Sequence, residues 1–336
     1  VAVTWKKLAY HDEVANKTTA AWSKSIGATG DYATWVAMIT DMPDLIAHAV
    51  TVTIEDGTTL TEICELRNKH GLTSAAIITI QAEKYFPVSG ALPTADSATA
   101  TTLRDAALAS AALGNDYFNG SWVLVVDGTG TDNGFVLITD YIDATGDVVV
   151  AAWPGTQPDN TSRYQIVGAL IDCAGTRSYG LYCSTNTITV YLYGIGITNG
   201  DLYNLFVYSC SLMSVKWCGF DKSDRTGIYG VNGNRLAIDY CGLVGNNTDN
   251  SNSFGGIRFE SMLFAQASYC GLSDNSRRGV LVVRGGYARI SNNFGDNNGL
   301  WGTYAQESGQ ADCSGTECSG SSGNHSNAVG DGSLAY

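Results

Sequence analysis

Over its C-terminal half the chain repeats itself, and the repeat length constrains the fold more than any single residue does. The segments Val215–Phe220, Ile238–Leu243, Ala267–Leu272 and Ile290–Gly295 align with Cys218, Cys241, Cys270 and Asn293 in register. Those four positions are spaced by 23, 29 and 23 residues, and Cys318 follows 25 later. A second ladder keeps the same step. Gly180, Asn204, Gly227, Gly256, Gly279, Gly302 and Asn327 each open a short apolar piece, at spacings of 24, 23, 29, 23, 23 and 25. Two ladders that share one 29-residue exception mark a stack of structural repeats.

Each repeat holds two or three apolar pieces, such as Leu205–Val207 and Val280–Val283, separated by Gly, Asn, Ser and Asp. Gly and Asn tolerate positive φ, and Asn and Asp close local turns, so the separators read as corners. Helical periodicity is missing from this region. The pattern predicts an all-β chain whose body is a parallel β-helix, about seven coils over residues 165–336, with Cys218, Cys241 and Cys270 stacked as unpaired thiols. Nine cysteines is an odd number without zinc-type spacing, so neither a disulfide framework nor a metal or cofactor is expected.

Ahead of the coils the pattern changes. Residues 1–30 read as an arm carrying Trp5, Leu8 and Tyr10, either a plain terminus or an anchoring peptide that docks on a partner. Residues 31–48 read as an amphipathic helix capped by Asp31 and interrupted by Pro43, laid over the open end of the first coil. First coils are expected across 31–112, with 88–112 as a linker or short helix. Residues 113–167 read as a small antiparallel module of three strands, Ser121–Val126, Gly134–Thr139 and Asp147–Ala152. Its Asp127–Asn133 turn lacks the spacing of a calcium loop and reads as a hairpin turn. The parallel β-helix proper is expected over 168–336.

Gly30–Thr34 leading into a helix and then Val50–Gly57 resembles the opening of pectate-lyase-like right-handed parallel β-helix proteins carried by bacteriophages. Asn115–Trp122 through Ser162–Ile166 resembles a small β module that recurs in phage virion proteins of this kind. With the coils, the resemblance covers most of residues 23–336. It implies a virion surface appendage such as a tailspike, fibre or decoration. Such a protein would be attached to other virion proteins through its N-terminal arm, contact host-surface polysaccharide and commonly form a homotrimer. No catalytic motif of a lyase or hydrolase family maps onto the chain.

Composition trims the alternatives. The net charge of −13 argues against nucleic acid and anionic membranes, and no apolar run is long enough for membrane insertion. Asp221, Asp224, Asp239 and Glu260 lie in adjacent coils and could converge as the carboxylates of a glycoside hydrolase or polysaccharide lyase. As members of a set of 32 acidic residues, they more simply read as solvated turn residues. Trp217, Tyr240 and Tyr269 precede the ladder cysteines in one register and should stack; core, subunit interface and glycan contact all remain open for them. Tyr304 is a further glycan-contact candidate, as are Asn246 and Asn252 on the polar insertion that lengthens one coil. A non-enzymatic appendage, a polysaccharide-degrading tailspike and an extracellular pectate-lyase-like enzyme of cellular origin are the competing functions.

Overall fold

The computed structural model describes residues 17–249, 254–314, 317–320, 327–329 and 334–335 of the 336-residue chain. Its body is a right-handed parallel β-helix built from three long sheets. The first has ten strands, from Trp22–Ile26 to Leu334–Ala335; the second has eight, from Thr59–Leu60 to Glu317–Gly320; the third has eight, from Cys64–Arg67 to Asn327–Val329. From Ala169 onward each sheet receives seven strands, so the expected seven coils are present. The chain runs from second sheet to third to first and then begins the next coil.

The corners explain the composition. A residue with positive φ recurs at each: Trp217, Tyr240 and Tyr269 between first and second sheets, Asn199, Lys222 and Asp274 between second and third, and Thr185, Ser209 and Asn232 between third and first. Single left-handed residues let the strand turn without a long loop. Between corners the apolar pieces point inward. In one coil Met213, Val215, Phe220 and Ile228 are all fully buried, each worth about 1.5–3 kcal/mol of burial.

The cysteine ladder is internal and unpaired, as expected. The thiols of Cys218, Cys241 and Cys270 donate to the carbonyls of Leu192, Val215 and Ile238 one coil back, at 3.6, 3.7 and 3.6 Å. The Asn293 amide makes the same contact to Ala267 at 2.9 Å. Cys and Asn thus serve one purpose, linking a corner to the coil beneath.

Several boundaries shift. Trp22–Ile26, placed by sequence in the arm, pairs in parallel with Val50–Ile54 as the edge of the first sheet. The helix is shorter, Trp35–Asp41, and its N-cap is Thr34, because the Asp31 carboxylate accepts hydrogen bonds from Lys24 and Ser25 instead. Trp35 and Met38 seat it in the core at the N-terminal end. The antiparallel module begins earlier than expected and has six strands, in the order Arg163–Val167, Trp122–Asp127, Phe135–Ile142, Asp147–Val150, Thr102–Arg104, Ser97–Thr99. The short strands at 97–104 carry too little apolar alternation to stand out. The module is an insertion between coils: Ile77–Ala82, before it, pairs directly with Thr189–Tyr193, after it.

The module lies on the second sheet, and a glycine track receives it. A Cβ at Gly219 would stand 2.7 Å from Phe135, and one at Gly242 would stand 2.2 Å from Val126. Gly196 and Gly271 face Phe135 and Val126 just as closely. The glycine after each ladder cysteine is therefore a docking surface for the module, with Leu124 and Val126 fully buried against it.

Candidate functional site

Where the module overhangs the corner between second and third sheets, it leaves a groove. The module supplies its Asp127–Gly134 turn, with a short 3-10 turn at Thr131–Asn133, and the Gly155–Thr156 segment that this turn holds: Asp132 accepts from the Thr156 amide and hydroxyl, both at 3.0 Å. The coils supply Asp221, Lys222, Gly245, Thr248 and Asp274. The space between is about 700 Å³, lined also by Thr129, Gly130 and Thr131. A second pocket of about 450 Å³, lined by Asn199 and Asp224, shares Lys222 and Thr248 with the first, so the two form one trench along the corner.

Asp221 is the unusual group in it. It ends the second-sheet strand Gly219–Asp221, whose apolar neighbours pull it below the surface, and its side chain is 3% exposed. Burial pushes its pKa up to about 7; the Lys222 ammonium 3.7 Å away and the Thr198 hydroxyl offset only part of that. Gly134 of the module sits directly above. A Cβ there would lie 2.8 Å from the Asp221 Oδ2 and 2.7 Å from the Lys222 Nζ, so only glycine keeps the carboxyl in reach of the groove.

The four carboxylates considered from sequence do not converge, because adjacent coils place them on different faces. Asp221 and Asp224 share the trench, Asp224 being exposed and accepting from the Thr248 hydroxyl at 2.6 Å. Asp239 ends a first-sheet strand and accepts from Gln266 at 2.9 Å, with Lys216 3.7 Å away. Glu260 lies on the third sheet. Burial alone would raise its pKa, but the Tyr229 hydroxyl, Arg258 and Arg284 hold it below the usual carboxylate range. The reading of all four as solvated turn residues fails for Asp221, Asp239 and Glu260, which are buried. Among the described residues no three His, Cys, Asp or Glu side chains lie together as a metal site requires.

The aromatic ladder is outside the core. Trp217 stacks on Tyr240 at 6.4 Å and Tyr240 on Tyr269 at 5.2 Å, all half-buried. The faces of Trp217 and Tyr240 are taken up by the neighbouring rings and by the insertion. Tyr85 covers Trp217 at 5.6 Å, and the Trp217 Nε1 donates to the Val88 carbonyl at 3.0 Å. Trp217 thus pins the segment that leads into the module, and the faces of Trp217 and Tyr240 are covered by neighbouring rings. Tyr304 is stacked on Trp301 at 4.6 Å, under the Arg278 guanidinium. Asn246 is not on a projecting loop: it is fully buried in an internal ladder, donating to the Asn275 Oδ1 at 3.2 Å and to the Phe220 and Val244 carbonyls. Asn275 in turn donates to Asn298 at 3.1 Å. Asn252, Trp5, Leu8 and Tyr10 lie outside the described residues.

Sequence reasoning missed two features. One is the module wall, Asp132 and Thr156, with Lys222 and Asp274 opposite. The other is an aromatic row on the third sheet, Tyr182, Phe206 and Tyr229, each 5.2 Å from the next. That row was visible in the second sequence ladder, as the third residue of its apolar pieces.

The fold and groove define a parallel β-helix bearing an inserted antiparallel module. No protein-family model matches the sequence, and no curated protein matches it. Among solved structures it is similar to tailspike protein 2 of an Escherichia coli O157:H7 bacteriophage, with 10% identity over 82% of this chain and 32% of that one, at a TM-score of 0.38. It is also similar to pectate lyase Pel9A, with 11% identity over 95% of this chain and 78% of that one, at a TM-score of 0.46. The tailspike gp49 of Pseudomonas phage LKA1 shares 12% identity over 78% of this chain and 62% of that one, at a TM-score of 0.25. The chain spans about a third of the length of the first of these. Likenesses at this level carry no information on activity.

Proposed function

We propose that this chain belongs to a surface appendage of a phage particle and binds host-surface polysaccharide in the trench between module and coils. The observation that carries the binding reading is the trench itself: two adjoining pockets, the larger walled by module and coils together and lined by Thr129, Thr156, Thr248, Asp132 and Asp274, the smaller by the coils alone. Hydroxyls and carboxylates at that density suit the hydroxyls of a sugar chain, and a rigid scaffold holds them without an ordering cost. The phage setting is supported by the two sequence stretches, Gly30–Gly57 and Asn115–Ile166, that resemble phage β-helix proteins. In that setting the chain acts as a homotrimer attached to other virion proteins through its N-terminal residues. Sedimentation as a monomer, with unchanged attachment after deletion of residues 1–16, would overturn the assembly reading.

The binding reading is tested by Thr248→Trp. Thr248 is exposed and borders both pockets, so an indole there fills the trench without touching the core. Affinity for host polysaccharide should fall at least about tenfold with unchanged thermal stability. Full affinity in that variant would move the binding site elsewhere.

A further inference from the structure

The module is wider than the sheet that carries it. Its strand Phe135–Ile142 starts on the coils, where Phe135 packs against Leu170, Gly196 and Gly219. Alternation, shifted once by the bulge between Ile138 and Asp140, sends Val136, Ile138 and Tyr141 into the module core. Leu137 and Ile142 stay on the side of Phe135 but have run past the solenoid: they are 47% and 38% exposed. Gly134 stands over Asp221 at the end of a second-sheet strand and Phe135 over Gly219 at its start, so the overhang leaves on the side away from the trench. A face that packs at one end and lies open at the other is an unfilled contact. It is also acidic. Residues 97–167 hold eight acidic and two basic side chains, net −6 of the −13 on the whole chain.

The third sheet presents the complement. Phe206 lies between Tyr182 and Tyr229, 5.2 Å from each, so the rings of this row cover one another and leave little open ring face for a sugar. Tyr208, 37% exposed, and the exposed Ile63 widen the apolar surface around it. Arg67 lies over Tyr182 at 4.2 Å and Arg258 over Tyr229 at 5.0 Å. Tyrosine, phenylalanine and arginine together are the composition of a protein interface core. The strands of this sheet carry Arg67, Arg258 and Arg278 against Glu65 and Glu260, net +1 in an acidic chain. Height matches as well. The coils of Leu170, Gly196 and Gly219, on which Phe135 sits, continue directly into the strands of Tyr182, Phe206 and Tyr229.

We propose that the overhanging module face, through Leu137 and Ile142, docks on the Tyr182–Tyr229 face of a second copy of this chain. This rests on the homotrimer reading given above and assigns the surfaces that form it. A two-fold contact would set acidic module on acidic module, whereas a head-to-tail contact sets it on the face that carries Arg67 and Arg258. Because the two surfaces lie at one height, rotation about an axis along the coils joins them with no rise. Such a contact closes into a ring instead of growing into a filament. Each trench stays open, since the overhang lies on the other side of the module.

The experiment uses the full chain with a photoreactive benzoylphenylalanine in place of Leu137. Isotope-labelled and unlabelled copies are mixed and irradiated, and the joined peptides are identified by mass spectrometry. Mixed-label products should join position 137 to the strands Cys64–Arg67, Tyr179–Ser184 or Tyr203–Tyr208 of another copy. Sedimentation then measures association. Leu137→Asp and Tyr208→Asp should each weaken it about 30-fold or more, with the secondary structure of the separated chains unchanged. Leu263→Asp, at an exposed site on another corner, should associate as the wild type does. Products confined to one copy or to another surface, or full association of Leu137→Asp, would overturn the inference and leave the homotrimer standing. Equal weakening by Leu263→Asp would do the same. A wild-type chain that sediments as a monomer would overturn both.

Discussion

Replacing Asp221 by Asn should stabilise the protein near pH 8 and leave it almost unchanged near pH 4. The side chain is 3% exposed, and burial lifts its pKa from the ordinary 3.8 to about 7 against the partial relief given by Lys222 and Thr198. The folded protein therefore holds a proton that the unfolded chain releases once the pH passes its own, lower pKa. The contribution of this group is intact below about pH 4 and is lost as the pH rises through about 7. A displacement of about 3 pH units corresponds to roughly 4 kcal/mol of lost stability once the group is fully ionised. Asn keeps the shape of the side chain and removes the charge, so it avoids that loss. Thermal unfolding of variant and wild type across the pH series measures the difference, which should widen steadily between about pH 4 and 8. An equal difference at both ends would refute a buried, protonated Asp221. A residue that weakens the fold at neutral pH is more readily understood as serving function than as serving structure.

Gly242→Ala should cost about 1–3 kcal/mol by driving a methyl into Val126, and Val126→Ala in the same chain should recover most of it; a double-mutant cycle in thermal unfolding shows whether the two couple. Asn246→Ala removes the side-chain donor to the Phe220 and Val244 carbonyls and the link to Asn275, at a cost of about 2 kcal/mol; a change within a few tenths would mean the ladder is dispensable. Trp217→Ala removes the ring under Tyr85 and the bond to Val88, so amide exchange across residues 84–92 should quicken; unchanged exchange would show that the segment is held by other contacts.

The coils were legible because a β-helix writes its period into the chain: Cys218, Cys241 and Cys270 recur at coil length since each occupies the same corner. The Asn246 ladder was equally regular, with Ser223, Asn275 and Asn298 at matching positions, but it adjoins the longer coil's polar insertion and was absorbed into it. The glycine track was read as turn residues. Its role depends on Phe135 and Val126, brought across from an insertion that shares no periodicity with the coils. Asp221 was hidden for the same reason: its burial comes partly from Gly134, which lies 87 positions earlier in the chain (221 less 134). Contacts along the solenoid axis repeat and can be read; contacts between the solenoid and its insertion occur once and cannot.

The most direct measurement is a crystal structure of the protein with an oligosaccharide prepared from the polysaccharide it binds. The sugar chain should lie in the trench, between Thr156 of the module and Thr248 of the coils. Density on the Tyr182–Tyr229 face or along the Trp217–Tyr269 ladder, with the trench empty, would contradict the account.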